Sequence, residues 1–229
     1  EAAAWQPVAQ RLQAWKTVAV VNRRGRETSG PLTPTYSLRT EVEDAAVVCR
    51  EFSAVRTLFG WSYGGLIALH LANELTFPQV VAYEPVMAPF GAQALTNLRR
   101  AHDQRDHEAS VEIALRRVTG MGDERVARLR GDVTVWEELQ RLSAPLYRET
   151  LAINEASQPA RLATGATQVD LIIGELNQGR APYGTSFEDV TSHVPQAEVH
   201  GLGEQGHLAH LEAPTRLAAL MDDIGRSAG

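Results

Sequence analysis

Residues 60–64 read Gly60-Trp61-Ser62-Tyr63-Gly64, a G-x-S-x-G pattern. An apolar run of strand type, 55–60, leads into it, and an apolar helical pattern begins at Gly64-Gly65. A serine on so sharp a strand-to-helix turn takes a strained backbone conformation, and its hydroxyl stands clear of the sheet. The glycines on either side are expected to be required, because a Cβ there would strike the neighbouring strand or helix. The bland alternative is a glycine-rich turn with an incidental serine. A serine hydroxyl is a poor nucleophile at neutral pH and needs a base. Seven histidines are available. His70 falls within the following helix and is expected to pack there. His102 and His107 lie in a charged helical stretch and are expected to be solvated. His193 and His200 flank or occupy the last strand. His207 follows that strand in Gly203-Glu204-Gln205-Gly206-His207, beyond a strand's C-terminal end, where a parallel sheet places its ligand chemistry. His210, three residues on, is the other candidate base; position favours His207.

These groups need a scaffold. Residues 1–14 have a helical period, with Trp5, Val8, Ala9 and Leu12 on one face. Residues 17–22 (TVAVVN) form a continuous β-branched run, the pattern of a strand buried on both faces. Residues 37–52 predict a helix with Ser37 as N-cap and Leu38, Val42, Ala45, Ala46, Cys49 and Phe52 inward. Strands are expected over 55–60, 79–84, 168–173 and 197–202, and helices over 64–75, 185–193 and 212–225. Such alternation predicts a parallel sheet with right-handed crossovers. It stops between Met87 and Pro159. Residues 91–160 carry 10 Arg and 11 acidic residues, with breaks at Gly120–Gly122, Gly131 and Pro145. A charge-balanced helical insertion of this length fits a cap over the sheet better than a second sheet. Residues 88–159 are read as that cap, and 1–87 with 160–229 as the core. The fold class is therefore α/β: a doubly wound, mostly parallel sheet with a helical cap inserted between strands.

The 229 residues carry 28 acidic and 22 basic side chains, a net charge of -6, which disfavours a nucleic-acid partner. The apolar stretches are strand-sized, so no membrane span is expected. No signal peptide is visible, and a cytoplasmic protein is expected. One cysteine, Cys49, excludes an internal disulfide and a thiolate metal site. There is no phosphate loop with lysine and no H-E-x-x-H spacing, so neither a metal nor a cofactor is expected. The implied partner is a small-molecule substrate. Trp61, Tyr63, Tyr83, Met87 and Phe90 fall near the sheet's catalytic edge and either line an apolar pocket, for which Trp61 and Met87 are the named candidates, or pack the cap. Arg23, Arg24 and Arg26 are read as structural, pairing with the sheet's edge and with helix C-terminal carbonyls.

The chain resembles the α/β-hydrolase superfamily over essentially its whole length. The marks are Asn22-Arg23-Arg24-Gly25-Arg26 after the first strand-like run, the Gly60–Gly64 elbow, Tyr83-Glu84-Pro85, Gly174-Glu175, Gly206-His207 and Glu212-Ala213-Pro214. The resemblance implies that Ser62 is the nucleophile, His207 the general base, and the main-chain N–H of Tyr63 half of the oxyanion hole. Three departures stand out. The superfamily often has Asp where Asn22 stands, a position that is usually structural. Its usual acid follows the strand ending here at Ile173, where this chain has Gly174-Glu175-Leu176-Asn177. Asparagine cannot supply the negative charge that orients the histidine. The acid must then come from elsewhere. Glu84, at the end of the strand after the nucleophile's, is the first choice; Glu175 and Glu204 follow, and a structural pairing of Glu84 with a cap arginine is the alternative. Finally, the usual His-Gly-rich turn that supplies the second oxyanion N–H is absent, and the pattern starts just after it. The expectation is that some 30 residues of strands and loop belong ahead of Glu1.

The function these residues imply is hydrolysis of an ester, thioester or lactone through an acyl-serine. The alternatives are a catalytically silent ligand-binding module, kept open by Asn177, and a biosynthetic lyase or cyclase using the same pocket.

Overall fold

Strand β2 (Phe77–Tyr83) shows why the sheet is sandwiched. Its alternating side chains are apolar on both faces: Val80 and Ala82 join one core, Val81 and Tyr83 another. It lies between β1 (Thr57–Trp61) and β3 (Ala166–Gly174), and β4 (Glu198–Leu202) completes a four-stranded, all-parallel sheet in the order β1-β2-β3-β4. The computed structural model describes residues 1–227. On one face lie helices α2 (Leu38–Arg50), α3 (Tyr63–Leu71) and, beyond β3, α9 (Tyr183–His193). On the other lie α1 (Ala2–Ala9) and α11 (Pro214–Ser227), with the short α10 (Ala209–Glu212) beside them. Helices on both faces of a parallel sheet make a doubly wound α/β fold.

Between β2 and β3 every regular element is helical: a 3-10 turn at Ala92–Ala94, α4 (Leu95–Gln104), α5 (His107–Ile113), a π turn at Ala114–Val118, α6 (Asp123–Gly131), α7 (Val133–Leu142) and α8 (Leu146–Glu155). This segment has a small core of its own around Val111, Val126 and Trp136. Helix α8 returns to the main core through Ala152 and Ile153. Helix α8 is also tied to the core by charge. Glu149 pairs with Arg23 (2.7 Å) and Arg26 (2.9 Å), and Arg23 reaches on to Glu41 of α2 (2.8 Å). Burial pushes the Glu149 carboxyl up, but the Arg23 and Arg26 charges outweigh it and hold it below the usual carboxylate range. Arg24 pairs with Asp44. The three arginines thus bind carboxylates of α2 and α8, not the helix C-terminal carbonyls expected of them.

Residues 17–22 are the clearest departure from expectation. They form no strand, and Val18, Val20 and Val21 are exposed, Val21 by 50%. A β-branched run makes a strand only if a neighbour takes its N–H and C=O groups. Strand β1 pairs on one side only, with β2. Residues 17–22 and β1 line the same cavity without pairing. Phe52 opens to solvent nearby, at 42%, rather than packing inward. Helix α1 also ends earlier than its period suggests. The N–H groups of Gln13 and Ala14 both donate to Asp222 Oδ1, and the Trp15 indole donates to Thr57 Oγ1, which pulls the chain out of helix.

Candidate active site

Strand β1 runs straight into the Ser62 turn, where Ser62 takes φ 55° and ψ -121°. A non-glycine residue there is strained and persists only because its surroundings fix it. Its N–H donates to Tyr83 O (2.9 Å), and its carbonyl accepts from Gly65 and Leu66, opening α3. The N–H groups of Tyr63 and Gly64 therefore stand at the start of α3 without an intrahelical acceptor. A Cβ on Gly60 would fall 2.2 Å from Gly64 O, whereas one on Gly64 would meet nothing within 4 Å. The second steric demand belongs instead to Gly65, whose Cβ would lie 2.9 Å from Pro85 Cβ. Gly60→Ala is accordingly expected to cost about 3 kcal/mol, because backbone must move. Gly64→Ala should leave the melting temperature within a few degrees of wild type. Thermal denaturation of the two variants checks the contrast.

Glu84 follows β2 and is fully buried. Its N–H donates to Ile172 O (2.8 Å), which locks it to β3. Glu84 Oε2 lies 2.7 Å from His207 Nδ1. Oε1 accepts from the Gly174 N–H (2.9 Å), and Asn177 Nδ2 donates to both oxygens at 3.0 Å. His207 is placed by its neighbours. Its carbonyl accepts from Trp61 Nε1 (2.8 Å), the Tyr83 hydroxyl holds Gly206 O (2.6 Å), and its ring lies between Tyr183, stacked at 3.7 Å, and Trp61 at 4.6 Å. Burial lowers the His207 pKa, outweighing the hydrogen bond and charge of Glu84, which raise it. The imidazole is thus neutral near pH 7 and able to accept a proton. Any activity that uses His207 as base is expected to hold its kcat/KM down past the ordinary imidazole value of about 6.5. A pH profile already falling above pH 7 would contradict that.

The structure brings Ser62, Tyr63, Trp61 and His207 to one cavity of about 1680 Å³. No hydrogen bond joins Ser62 to His207 among the described residues, although both line the cavity. Phe90 also lines the cavity. Met87 does not: it is buried in the main core, and its N–H donates to Ser186 Oγ of α9, which ties that stretch of chain to the scaffold. Glu175 is exposed and lies against Gly201, and exposed Glu204 pairs with Arg216. Neither approaches the imidazole. His210 is buried against Trp5, stacked at 4.6 Å, with Nδ1 unpartnered and a pKa lowered to about 4 by burial. His200 faces Asp170, whose oxygens also accept from Gln79 and Gln168, toward the other end of the strands. The sequence points to Ser62, His207 and Glu84. It does not point to Asn177 or Tyr183, although a polar side chain three residues past the end of β3 is a usable signal.

A family model described as "Alpha/beta hydrolase family" matches residues 2–220. No curated protein matches the chain. Among solved structures, an alpha/beta hydrolase from Sphaerobacter thermophilus DSM 20745 is 23% identical, with a TM-score of 0.75 over 97% of this chain and 87% of its own. An esterase from Exiguobacterium antarcticum is 15% identical, with a TM-score of 0.69 over 98% of this chain and 87% of its own. A thermophilic esterase from Thermogutta terrifontis is 18% identical, with a TM-score of 0.65 over 100% of this chain and 86% of its own.

Proposed function

The chain belongs to the alpha/beta hydrolase family, and from that premise we propose that it is a serine hydrolase cleaving a carboxylic ester, thioester or lactone of a small, uncharged molecule. The observation that carries the proposal is the Glu84–His207 hydrogen bond on the same cavity edge as the strained Ser62. In the proposed cycle, His207 Nε2 takes the Ser62 proton as Oγ attacks the carbonyl carbon. The Tyr63 N–H donates to the oxygen as it becomes an oxyanion. The tetrahedral intermediate expels the alcohol, which leaves with the proton from His207, and an acyl-serine remains. Water then attacks the acyl carbon as His207 takes its proton; the second tetrahedral intermediate collapses, His207 returns that proton to Ser62 Oγ, and the carboxylic acid leaves. Glu84 holds the imidazole in the tautomer with Nδ1 protonated and stabilises the imidazolium.

The helices between β2 and β3 serve as the cap in this reading. They present Leu98, Leu115, Val118, Leu146 and Ile153 to the cavity; of their charged groups there, Glu149 is paired with Arg23 and Arg26, and Arg125 with Glu212. Such a lining favours an apolar acyl or alcohol group over a charged one. The silent-binder alternative leans on Asn177 as a lost acid; in this reading Glu84, hydrogen-bonded to His207, takes that role instead.

Hydrolysis of a series of p-nitrophenyl esters tests the proposal. From acetate to hexanoate, kcat/KM is expected to rise about fourfold per methylene, the equivalent of about 0.8 kcal/mol for each CH₂ buried. A succinate half-ester should be a poor substrate. No turnover of any ester, thioester or lactone offered would overturn the proposal.

A further inference from the structure

We propose that Asn177 is a positioning residue for Glu84: its carboxamide fixes the buried carboxylate and holds the site to a single negative charge beside His207. The inference rests on the serine-hydrolase reading and concerns the same site.

Glu84 is out of reach of water, so its lone pairs must be met by protein groups. Gly174 N–H and Asn177 Nδ2 meet Oε1, and Asn177 Nδ2 and His207 Nδ1 meet Oε2. One amide therefore braces both oxygens, and the carboxylate cannot rotate without breaking a bond. The Asn177 loop is itself held. Leu176 N–H donates to Gln205 O and Asn177 N–H to Gly174 O, so the acid's support and the histidine's loop are zipped together. An amide is the side chain that suits this place. It donates to a carboxylate and carries no charge. Asp at 177 would set a second carboxylate at hydrogen-bond distance from Glu84, and like charges so close cannot both ionise freely.

Few other titratable or charged groups face this pair. Tyr183 of α9 stacks on the His207 ring, Tyr83 ends β2, and His210 of α10 lies beyond Trp61. Glu212 of α10 pairs with Arg125, and Glu175 turns to Gly201.

The signs follow. Asn177 Nδ2 and the imidazole share one carboxylate, so each draws on the same negative charge. Removing the amide donor with Asn177→Leu leaves more of that charge to His207 and raises its proton affinity. Adding a negative charge with Asn177→Asp raises it further.

The experiment is an NMR titration of His207 with labelled imidazole, run beside the pH profile of kcat/KM for p-nitrophenyl butyrate. In Asn177→Asp the His207 titration and the acid limb of kcat/KM are both expected to move up by about one pH unit or more. Asn177→Leu should move them less, with kcat down about 10- to 100-fold. Should the leucine variant not fold, the isosteric Asn177→Asp decides alone. A His207 titration within about 0.2 units of wild type in folded Asn177→Asp would overturn the proposal, even if kcat falls. The titration needs no turnover, so a wild-type chain inert toward esters would count against the hydrolase reading and not against this one.

Discussion

Ser62→Ala is expected to lower kcat on any ester the wild-type chain accepts by about a millionfold, roughly 8 kcal/mol of barrier. The size follows from the chemistry. Without Oγ there is no acyl-enzyme, and His207 has no nucleophile to activate. What remains is whatever binding and the Tyr63 N–H contribute. KM should change little, because the hydroxyl is one small group at the edge of a cavity of about 1680 Å³. Stability should hold or rise slightly. Ser62 sits at φ 55°, a strained angle that alanine does not relieve, but its backbone bonds to Tyr83, Gly65 and Leu66 do not involve the side chain. Steady-state kinetics on variant free of wild-type contamination checks this. A loss smaller than about a thousandfold, or ~4 kcal/mol, would mean that Ser62 is not the nucleophile.

Glu84→Gln is expected to lower kcat by about 10⁴, near 5 kcal/mol. Gly174 N–H and Asn177 Nδ2 both donate toward this side chain. They orient a glutamine so that its carbonyl faces them and its amide faces His207 Nδ1. The imidazole must then accept at Nδ1 and carry its proton on Nε2, the tautomer that cannot take a proton from Ser62. Glu175→Gln, in contrast, should leave kcat within about threefold, under about 0.7 kcal/mol, because Glu175 is exposed and lies against Gly201. Equal effects at the two positions would refute the assignment of the acid.

The two central strands, β2 and β3, could be read from the sequence because both of their faces are covered. Val80, Val81, Ala82 and Leu171, Ile172, Ile173 are all buried, so the runs are continuous and apolar. The same pattern at 17–22 misleads, since it reports what a segment could bury and not whether a partner strand lies beside it. Ser62 and His207 are legible from local context, the one on a strand-to-helix turn and the other just past a strand. Glu84 is legible from its place at a strand end. Asn177 is not, because in sequence an amide reads only as a missing charge. Its value depends on meeting a carboxylate 93 residues away across two strand ends. Met87 lies in the main core for a related reason: what its side chain packs against depends on α9, whose Ser186 holds its backbone. Gly64 and Gly65 exchange roles because the close approach to Pro85 comes one residue into the helix.

The central claim is that Ser62 is a nucleophile activated by His207 and Glu84. Its most direct test is intact-mass analysis, with peptide mapping, of the chain treated with a fluorophosphonate, beside Ser62→Ala and His207→Ala. The account predicts one adduct per wild-type chain, on Ser62, none on Ser62→Ala, and labelling of His207→Ala slowed by about a thousandfold, or ~4 kcal/mol. A folded wild-type chain that takes no adduct at saturating reagent, or takes it on another residue, would contradict the account.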